Sequence, residues 1–377
     1  MISMRGWLIY RPVILIHGFC RMLTLWNITI SEISCGFILV WCFAESGLIS
    51  MKKPRILVVG SFVMDLIAEM PKFPKAGETL LGTSFSTASG GKGANQAVQA
   101  ARLGADVTMV GKVGMDSFGQ EMIDTVAKAG VNTTHVLRTD AASSAVGHVQ
   151  IEKTEDHVQN RIVVLSGANM CIVPEDVAFL KDEIHSYDLV VMQLEIPVEI
   201  NRIVTRYAHD ASVPVMLNPA PYAPLNENDF IGVTFVSPNE TEAEAMVGYP
   251  VHTLEDANKA LHAMKALGIS NPMITMGSLG AVCLWQDEMI FEKALPNLPV
   301  KDPTAAGDSF VGAFCTAIAA GCDVRSAMIF AKHASGITVC TMGAQPSLPF
   351  ASTVFENMEH FGDISEEILK LKEVLMS

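Results

Sequence analysis

From residue 55 onward the chain alternates between short runs that are apolar throughout and longer segments whose apolar positions recur every three to four residues. Arg55–Val59 is the first such run, closed by Gly60, and others lie at Val107–Val110, Leu189–Met192, Val213–Leu217, Phe235–Val236 and Pro272–Met276. Runs of this length bounded by turn residues read as strands buried on both faces. Between them the spacing predicts helices over Asn95–Arg102, Gly119–Ala129, Pro197–His209, Glu240–Val247 and Leu254–Leu267. Such alternation implies right-handed strand–helix–strand units, hence an α/β fold with a mostly parallel central sheet flanked by helices. In sheets of this kind ligands bind beyond the carboxyl ends of the strands.

Two stretches break the alternation. Ile67–Ala88 and Gly147–Leu165 hold short β-like pieces and turn residues without a long helix. They are expected to form a small β-sheet lid over the site, drawn from about residues 62–90 and 146–165. Beyond Phe350 an amphipathic pattern at Ile364–Leu375 predicts a helical tail over 350–377.

The first fifty residues differ from the rest. They hold Trp7, Trp26 and Trp41 but only Glu32 and Glu45 as acids. The apolar run Cys35–Ala44 falls short of the roughly 20 residues a bilayer span needs, and His17, Arg21 and Asn27 interrupt what a signal peptide would keep apolar. Since Met51-Lys52-Lys53-Pro54 leads directly into the first strand, residues 1–52 read as an N-terminal extension, with a membrane anchor as the alternative. Residues 53–349 then form one α/β domain.

Composition narrows the function. Half of the 377 residues are hydrophobic, enough for a sizeable core. A formal net charge of −14 argues against nucleic-acid or membrane-surface partners. An anion can still be held where backbone amides and a few cations converge. The eight cysteines lack C-x-x-C spacing, which excludes a zinc site or disulfide framework and suits a reducing cytoplasm.

Two segments carry chemistry. In Lys301-Asp302-Pro303-Thr304-Ala305-Ala306-Gly307-Asp308-Ser309-Phe310, small residues keep the backbone clear just before a helix. The free amides and dipole of that helix start make an anion site, and Asp308 could act there as a base. On spacing alone a plain helix N-cap is an equal reading of Asp308. In Ser89-Gly90-Gly91-Lys92-Gly93-Ala94-Asn95 the glycines admit a ligand close to the backbone, with Lys92 and Asn95 as donors. This is not a Walker loop, because Gly rather than Ser or Thr follows the Lys.

Together, Gly90–Asn95 and Asp302–Asp308 resemble the two signatures of the ribokinase-like (PfkB) carbohydrate kinases, in order and separation. Weaker landmarks agree: Gly60-Ser61 with Asp65, Gly167-Ala168-Asn169, Gln193-Leu194-Glu195, Pro238-Asn239-Glu240-Thr241-Glu242 and Thr275-Met276-Gly277-Ser278 with Gly280. The ending Gly343-Ala344-Gln345-Pro346-Ser347 is similar to the ribokinase branch in particular. The resemblance implies an ATP-dependent sugar kinase. Asp308 would be the catalytic base and the amides of Ala305, Ala306 and Gly307 the anion hole. Asp65, Gly91, Lys92, Asn95 and Glu195 would hold the sugar, while Asn239, Thr275, Gly277, Gly280 and His333 would hold ATP. Glu242 would bind Mg²⁺ through water, and Asp302, Thr304, Thr338, Gly343 and Ser347 would bind a K⁺ activator. A homodimer formed through the lid is implied as well. Two positions depart from the pattern: Val63 stands where an asparagine usually meets the sugar, and Leu279 where an arginine is common. The first leaves another pentose, a deoxysugar or a nucleoside open as acceptor.

Overall fold

In the computed structural model, which describes residues 51–154 and 158–377, the apolar runs are neighbouring strands of one sheet. The expected N-terminal extension lies, as far as residue 50, outside the described residues. In chain order the strands are β1 (Arg55–Val59), β2 (Val63–Met70), β3 (Ser84–Gly90), β4 (Asp106–Gly114), β5 (Asn132–Thr139), β6 (Val146–Lys153), β7 (Val158–Leu165), β8 (Leu189–Gln193), β9 (Val215–Asn218), β10 (Phe235–Val236), β11 (Asn271–Thr275), β12 (Gly280–Trp285) and β13 (Glu288–Lys293). The longer helices are α1 (Lys92–Arg102), α2 (Ser117–Lys128), α3 (Val198–Asp210), α4 (Glu240–Val247), α5 (Leu254–Ala266), α6 (Ala306–Ala320), α7 (Val324–Thr338), α8 (Ala351–Phe361) and α9 (Glu366–Leu375).

The large sheet has nine strands in the order β13-β12-β11-β10-β9-β8-β1-β4-β5. It is parallel from β11 through β5, and β12 and β13 close one edge as an antiparallel hairpin. Its central strands read as continuous apolar runs because both faces are covered. Ile56 and Val58 enter the core shared with α1, α6 and α7, whereas Leu57 and Val59 enter the one beneath α3 and α5. Two elements were not expected from the pattern. Strand β5 is an edge strand in which only Val136 is buried, so no apolar run marks it. The β12–β13 turn uses Gln286 and Asp287 at φ 51° and 64°, positions where Asn or Gly would have signalled a hairpin.

The lid is a separate four-stranded sheet, β3-β2-β6-β7. Only Gly60-Ser61-Phe62 separate β1 from β2, and only Gly91 separates β3 from α1, so the lid is joined to the body at the sheet's carboxyl end. Asn169 fixes one such crossing, donating to Phe62 O at 2.8 Å and accepting from Phe62 N at 3.1 Å. The predicted tail packs on the body: Val354, Phe355, Ile368 and Leu371 share the core of α6 and α7. Ser365 caps α9 by accepting from Ile368 N. Cys283, Cys315 and Cys322 are buried free thiols, whereas Cys171 and Cys340 are part-exposed. Among the described residues no helix is long and apolar enough to cross a membrane.

Candidate active site

Asp308 lies in the first turn of α6 and is not its cap. Ala305 holds the N-cap position, with left-handed φ 60° and no side-chain cap, so the plain capping reading of Asp308 fails. The Asp308 carboxylate is instead held by two side-chain amides from α1. Asn95 Nδ2 donates to Oδ2 at 2.9 Å and Gln96 Nε2 to Oδ1 at 3.0 Å. Gln96 is itself fixed, accepting from Gln193 Nε2 at 2.6 Å and donating to Asn218 Oδ1 at 3.1 Å. Hydrogen bonds to a charged group contribute about 1.5–3 kcal/mol each, and neither donor brings a positive charge that would quench a base. Of the three amides expected in the anion hole, Ala306 N–H is committed to Pro303 O at 3.2 Å, closing the turn ahead of the helix. The amides of Ala305 and Gly307 have no acceptor among the described residues.

On the lid side, Asp65 projects from β2 between Gly90 and Gly147. A Cβ at Gly147 would stand 2.2 Å from Asp65 Oδ1, so this place for the carboxylate exists only because residue 147 has no side chain. Burial, reinforced by the charge of Glu195, pushes the Asp65 carboxyl up to about 6. Glu195 sits at the N-terminus of α1, accepting from Lys92 N at 3.0 Å and from the Ser61 hydroxyl. Burial raises its carboxyl above the usual range, although the Ser61 hydroxyl and the Lys92 amide and ammonium oppose the rise. Burial would lower the Lys92 ammonium, but Asp308, Glu195 and Glu242 outweigh it and raise the group. Asn95 Oδ1 is buried and has no hydrogen-bond partner among the described residues.

Lys92, Asn239, Glu242, Thr275, Gly307 and Asp308 line one cavity of about 200 Å³. A larger cavity, about 450 Å³, lies among Leu225, Asn226, Phe230 and Leu267 and holds none of this chemistry. Asn239 and Glu242 form a reciprocal cap at the start of α4, each side chain accepting from the other's amide at 2.9 Å. The second Glu242 oxygen has no partner among the described residues. Burial raises the carboxyl, with Asn239 N–H and Lys92 opposing and Asp308 adding to the rise. An unpartnered carboxylate oxygen on this wall fits a hydrated Mg²⁺, which takes few protein ligands. Thr275 is bridged to Asn239 across the ends of β10 and β11. Gly277 borders Glu240, while Gly280 has a structural duty, since a Cβ there would stand 2.1 Å from Glu292 O.

His333 does not join them. It is fully buried, with Nδ1 on Asn357 at 2.7 Å and Nε2 on Asp363 at 2.8 Å, so it ties α7 to the tail and presents no ring to a nucleotide. Among the residues expected to hold a monovalent cation, Asp302 joins two segments: Oδ1 accepts from Thr304 N and Oγ1, and Oδ2 from Gly343 N at 2.8 Å. Those bonds hold its carboxyl below the ordinary value against the opposing effect of burial. The main-chain carbonyls of Asp302, Thr304, Gly343 and Ser347 accept no hydrogen bond from a described residue, which suits a hard cation. The Thr338 hydroxyl is spent on Ser309 and Ala334, and its carbonyl accepts from Thr341 N.

The sequence motifs that contain Gln96, Gln193 and Asn218 assign these amides no part in holding Asp308, nor Gly147 any part in making room for Asp65. Gln96 directly follows Asn95, and only the packing of α1 against α6 gives its amide a target.

The family described as "pfkB family carbohydrate kinase" matches residues 53–351. The chain is 40% identical over 302 residues to the ribokinase of Bacillus subtilis, covering 80% of this chain and 98% of that protein. It is 35% identical over 297 residues to the deoxyribokinase of Salmonella typhi, covering 78% and 95%. Its fold is similar to that of Arabidopsis thaliana ribokinase complexed with ribose and ATP, with TM-score 0.76 and 30% identity over 81% of this chain and 99% of that one. Agreement of a family match spanning both predicted signatures with identity along nearly the whole of a relative fixes the assignment: the chain belongs to the pfkB family of carbohydrate kinases, phosphotransferases acting on a sugar hydroxyl.

Proposed function

We propose that this chain is a ribokinase, transferring the γ-phosphoryl of ATP to the 5-hydroxyl of D-ribose. The observation that carries the reading is the Asp308 carboxylate, held by Asn95 and Gln96 on the wall that Lys92 and Glu242 share. Asp308 takes the proton of the acceptor hydroxyl, the new O–P bond forms, and the bond from the γ-phosphorus to the bridging oxygen of ADP breaks. The amides of Ala305 and Gly307 and the Lys92 ammonium face the charge on the phosphoryl oxygens. Glu242 would hold, through water, the Mg²⁺ that accompanies the nucleotide, which would supply positive charge to the phosphates. K⁺ at Asp302, Thr304, Gly343 and Ser347 would fix the turn that carries the amides. Asp65, Glu195, Lys92 and Asn95 receive the sugar.

A second reading, 2-deoxyribose as acceptor, is favoured by Val63. Its side chain is buried at the start of β2, with Cγ1 3.6 Å from the position a Gly147 Cβ would take, beside Asp65. The Val63 side chain itself has no polar atom to serve a sugar hydroxyl. We also propose a homodimer across the lid. Strand β7 ends that sheet and exposes Ile162, Val163, Val164 and Leu165, each more than half accessible. Sedimentation velocity should give twice the chain mass, and a single-chain mass at micromolar concentration removes this element.

Asp308→Asn should leave the thermal midpoint within a few degrees and lower kcat about 10²–10⁴-fold. Steady-state kinetics with ribose and ATP test this, and a kcat near wild type would sink the mechanism.

Val63→Asn should raise kcat/KM for ribose about 5- to 150-fold, the equivalent of the roughly 1–3 kcal/mol that an unpaired buried hydroxyl costs. Parameters for ATP should hardly move. If wild type already prefers ribose to 2-deoxyribose and the substitution gains nothing, position 63 does not read the sugar.

Sugar binding needs Asp65 ionised to accept hydroxyl protons, and its carboxyl titrates at about 6. Below that pH, kcat/KM for the sugar should therefore fall about tenfold per pH unit. Asp65→Asn should remove this acidic limb; its persistence in the variant would assign it to another group.

A further inference from the structure

Helix α1 bears polar side chains at Lys92, Asn95, Gln96, Gln99 and Arg102, a spacing that sets them along one face. The first three serve the cavity and the base. Gln99 and Arg102 lie farther along and touch neither. Gln99 is fully buried; its Nε2 donates to Pro349 O at 3.0 Å, and its Oε1 accepts from Ser309 Oγ at 3.0 Å. Ser309 Oγ in turn accepts from Thr338 Oγ1 at 2.8 Å. Arg102 Nη1 donates to Gln345 O at 2.6 Å and Leu348 O at 2.7 Å, and its guanidinium lies 5.2 Å over the Phe350 ring. No carboxylate pairs with Arg102 among the described residues, and burial lowers its pKa.

A half-buried guanidinium satisfied by two main-chain carbonyls is a demanding arrangement, and its effect is on the turn it grips. Within residues 343–349 the carbonyl of Ala344 is taken by Ser347, those of Gln345 and Leu348 by Arg102, and that of Pro349 by Gln99. The carbonyls left without a donor include Gly343 and Ser347, the two cation positions in this turn. The other end of the turn is tied to Asp302 through Gly343 N.

We infer that Gln99 and Arg102 are positioning residues that set the monovalent-cation turn. They occupy the carbonyls that must not face the cation, and they tie the turn to the same helix that holds Asp308 through Asn95 and Gln96. Cation binding and base placement are thereby coupled through α1. The inference rests on the K⁺ reading proposed above.

The test uses the full chain and Arg102→Met, Arg102→Lys and Gln99→Met, with K⁺ replacing Li⁺ at constant ionic strength. Two readouts are taken: the thermal midpoint in the presence of ADP, where nothing turns over, and the K⁺ concentration giving half-maximal activity. Wild type should gain thermal stability with K⁺. Arg102→Met and Gln99→Met should need about 5- to 150-fold more K⁺ in both readouts, the range of ordinary site–site coupling. KM for the sugar should stay within about twofold, since neither residue contacts substrate. Arg102→Lys, which keeps a cationic donor, should recover part of the response. Should Arg102→Met fail to fold, Arg102→Lys and Gln99→Met decide the matter. A wild-type response with unshifted variants overturns this inference and leaves the K⁺ reading standing. A wild type indifferent to K⁺ overturns the K⁺ reading and this inference with it. Variants whose sugar KM worsens as much as their K⁺ response report general loosening and overturn the positioning role.

Discussion

The catalytic arrangement depends on how closely α1 and α6 approach. They meet at Gly312, where a Cβ would stand 2.8 Å from Gln99 Cβ and 3.0 Å from Gln96 O. Helix pairs ordinarily pack with axes about 8–10 Å apart, set by the side chains at the contact. Gly312 is four residues beyond Asp308, so it lies directly under the base on the same helix face. With no side chain there, the short amides of Asn95 and Gln96 reach the carboxylate at hydrogen-bond distance. A larger residue would part the helices and leave a buried carboxylate without its donors, a loss of several kcal/mol in principle.

The lid uses the same device on the sugar side. Gly147 lacks a side chain where β6 runs beside β2, and the Asp65 carboxylate takes that space. Asp308 on α6 and Asp65 in the small sheet therefore belong to different layers, and two of the links between those layers are the short crossings at Gly60–Phe62 and Gly91. Because β3 runs directly into α1, a shift of the lid is transmitted to the helix that holds Asp308. The pinning of Phe62 by Asn169 makes one of these crossings stiff.

The parallel sheet was legible because its central strands are buried on both faces, which forces continuous apolar runs such as Ile56–Val59. Strand β5 and the β12–β13 hairpin were not, since an edge strand needs few apolar residues and the Gln286-Asp287 turn lacks the usual glycine. The two segments rich in small residues could be read because such runs beside an acid or a lysine are unusual in themselves. Gln96, Gln193 and Asn218 could not. A buried amide that orients a carboxylate looks in sequence like any polar residue on a helix or at a strand end, and only the packing at Gly312 gives it a target. His333 misled for the complementary reason: a position matched by resemblance to a family says nothing of burial in this chain, and Asn357 and Asp363, which claim it, come from the tail.

Acids outnumber cations at this site. Glu195, Asp308 and Glu242 act on one ammonium, Lys92, and Asp65 feels the charge of Glu195. Three of these carboxylates are raised above their ordinary values, burial being the largest cause in each. Burial withdraws water from each carboxyl and disfavours its charged form. Lys92 answers part of this effect, and its own upward shift shows that its proton is held by Asp308, Glu195 and Glu242 together. Asp308 is held by two neutral side-chain amides, Asn95 and Gln96, which fix both of its oxygens on the cavity wall beside Lys92.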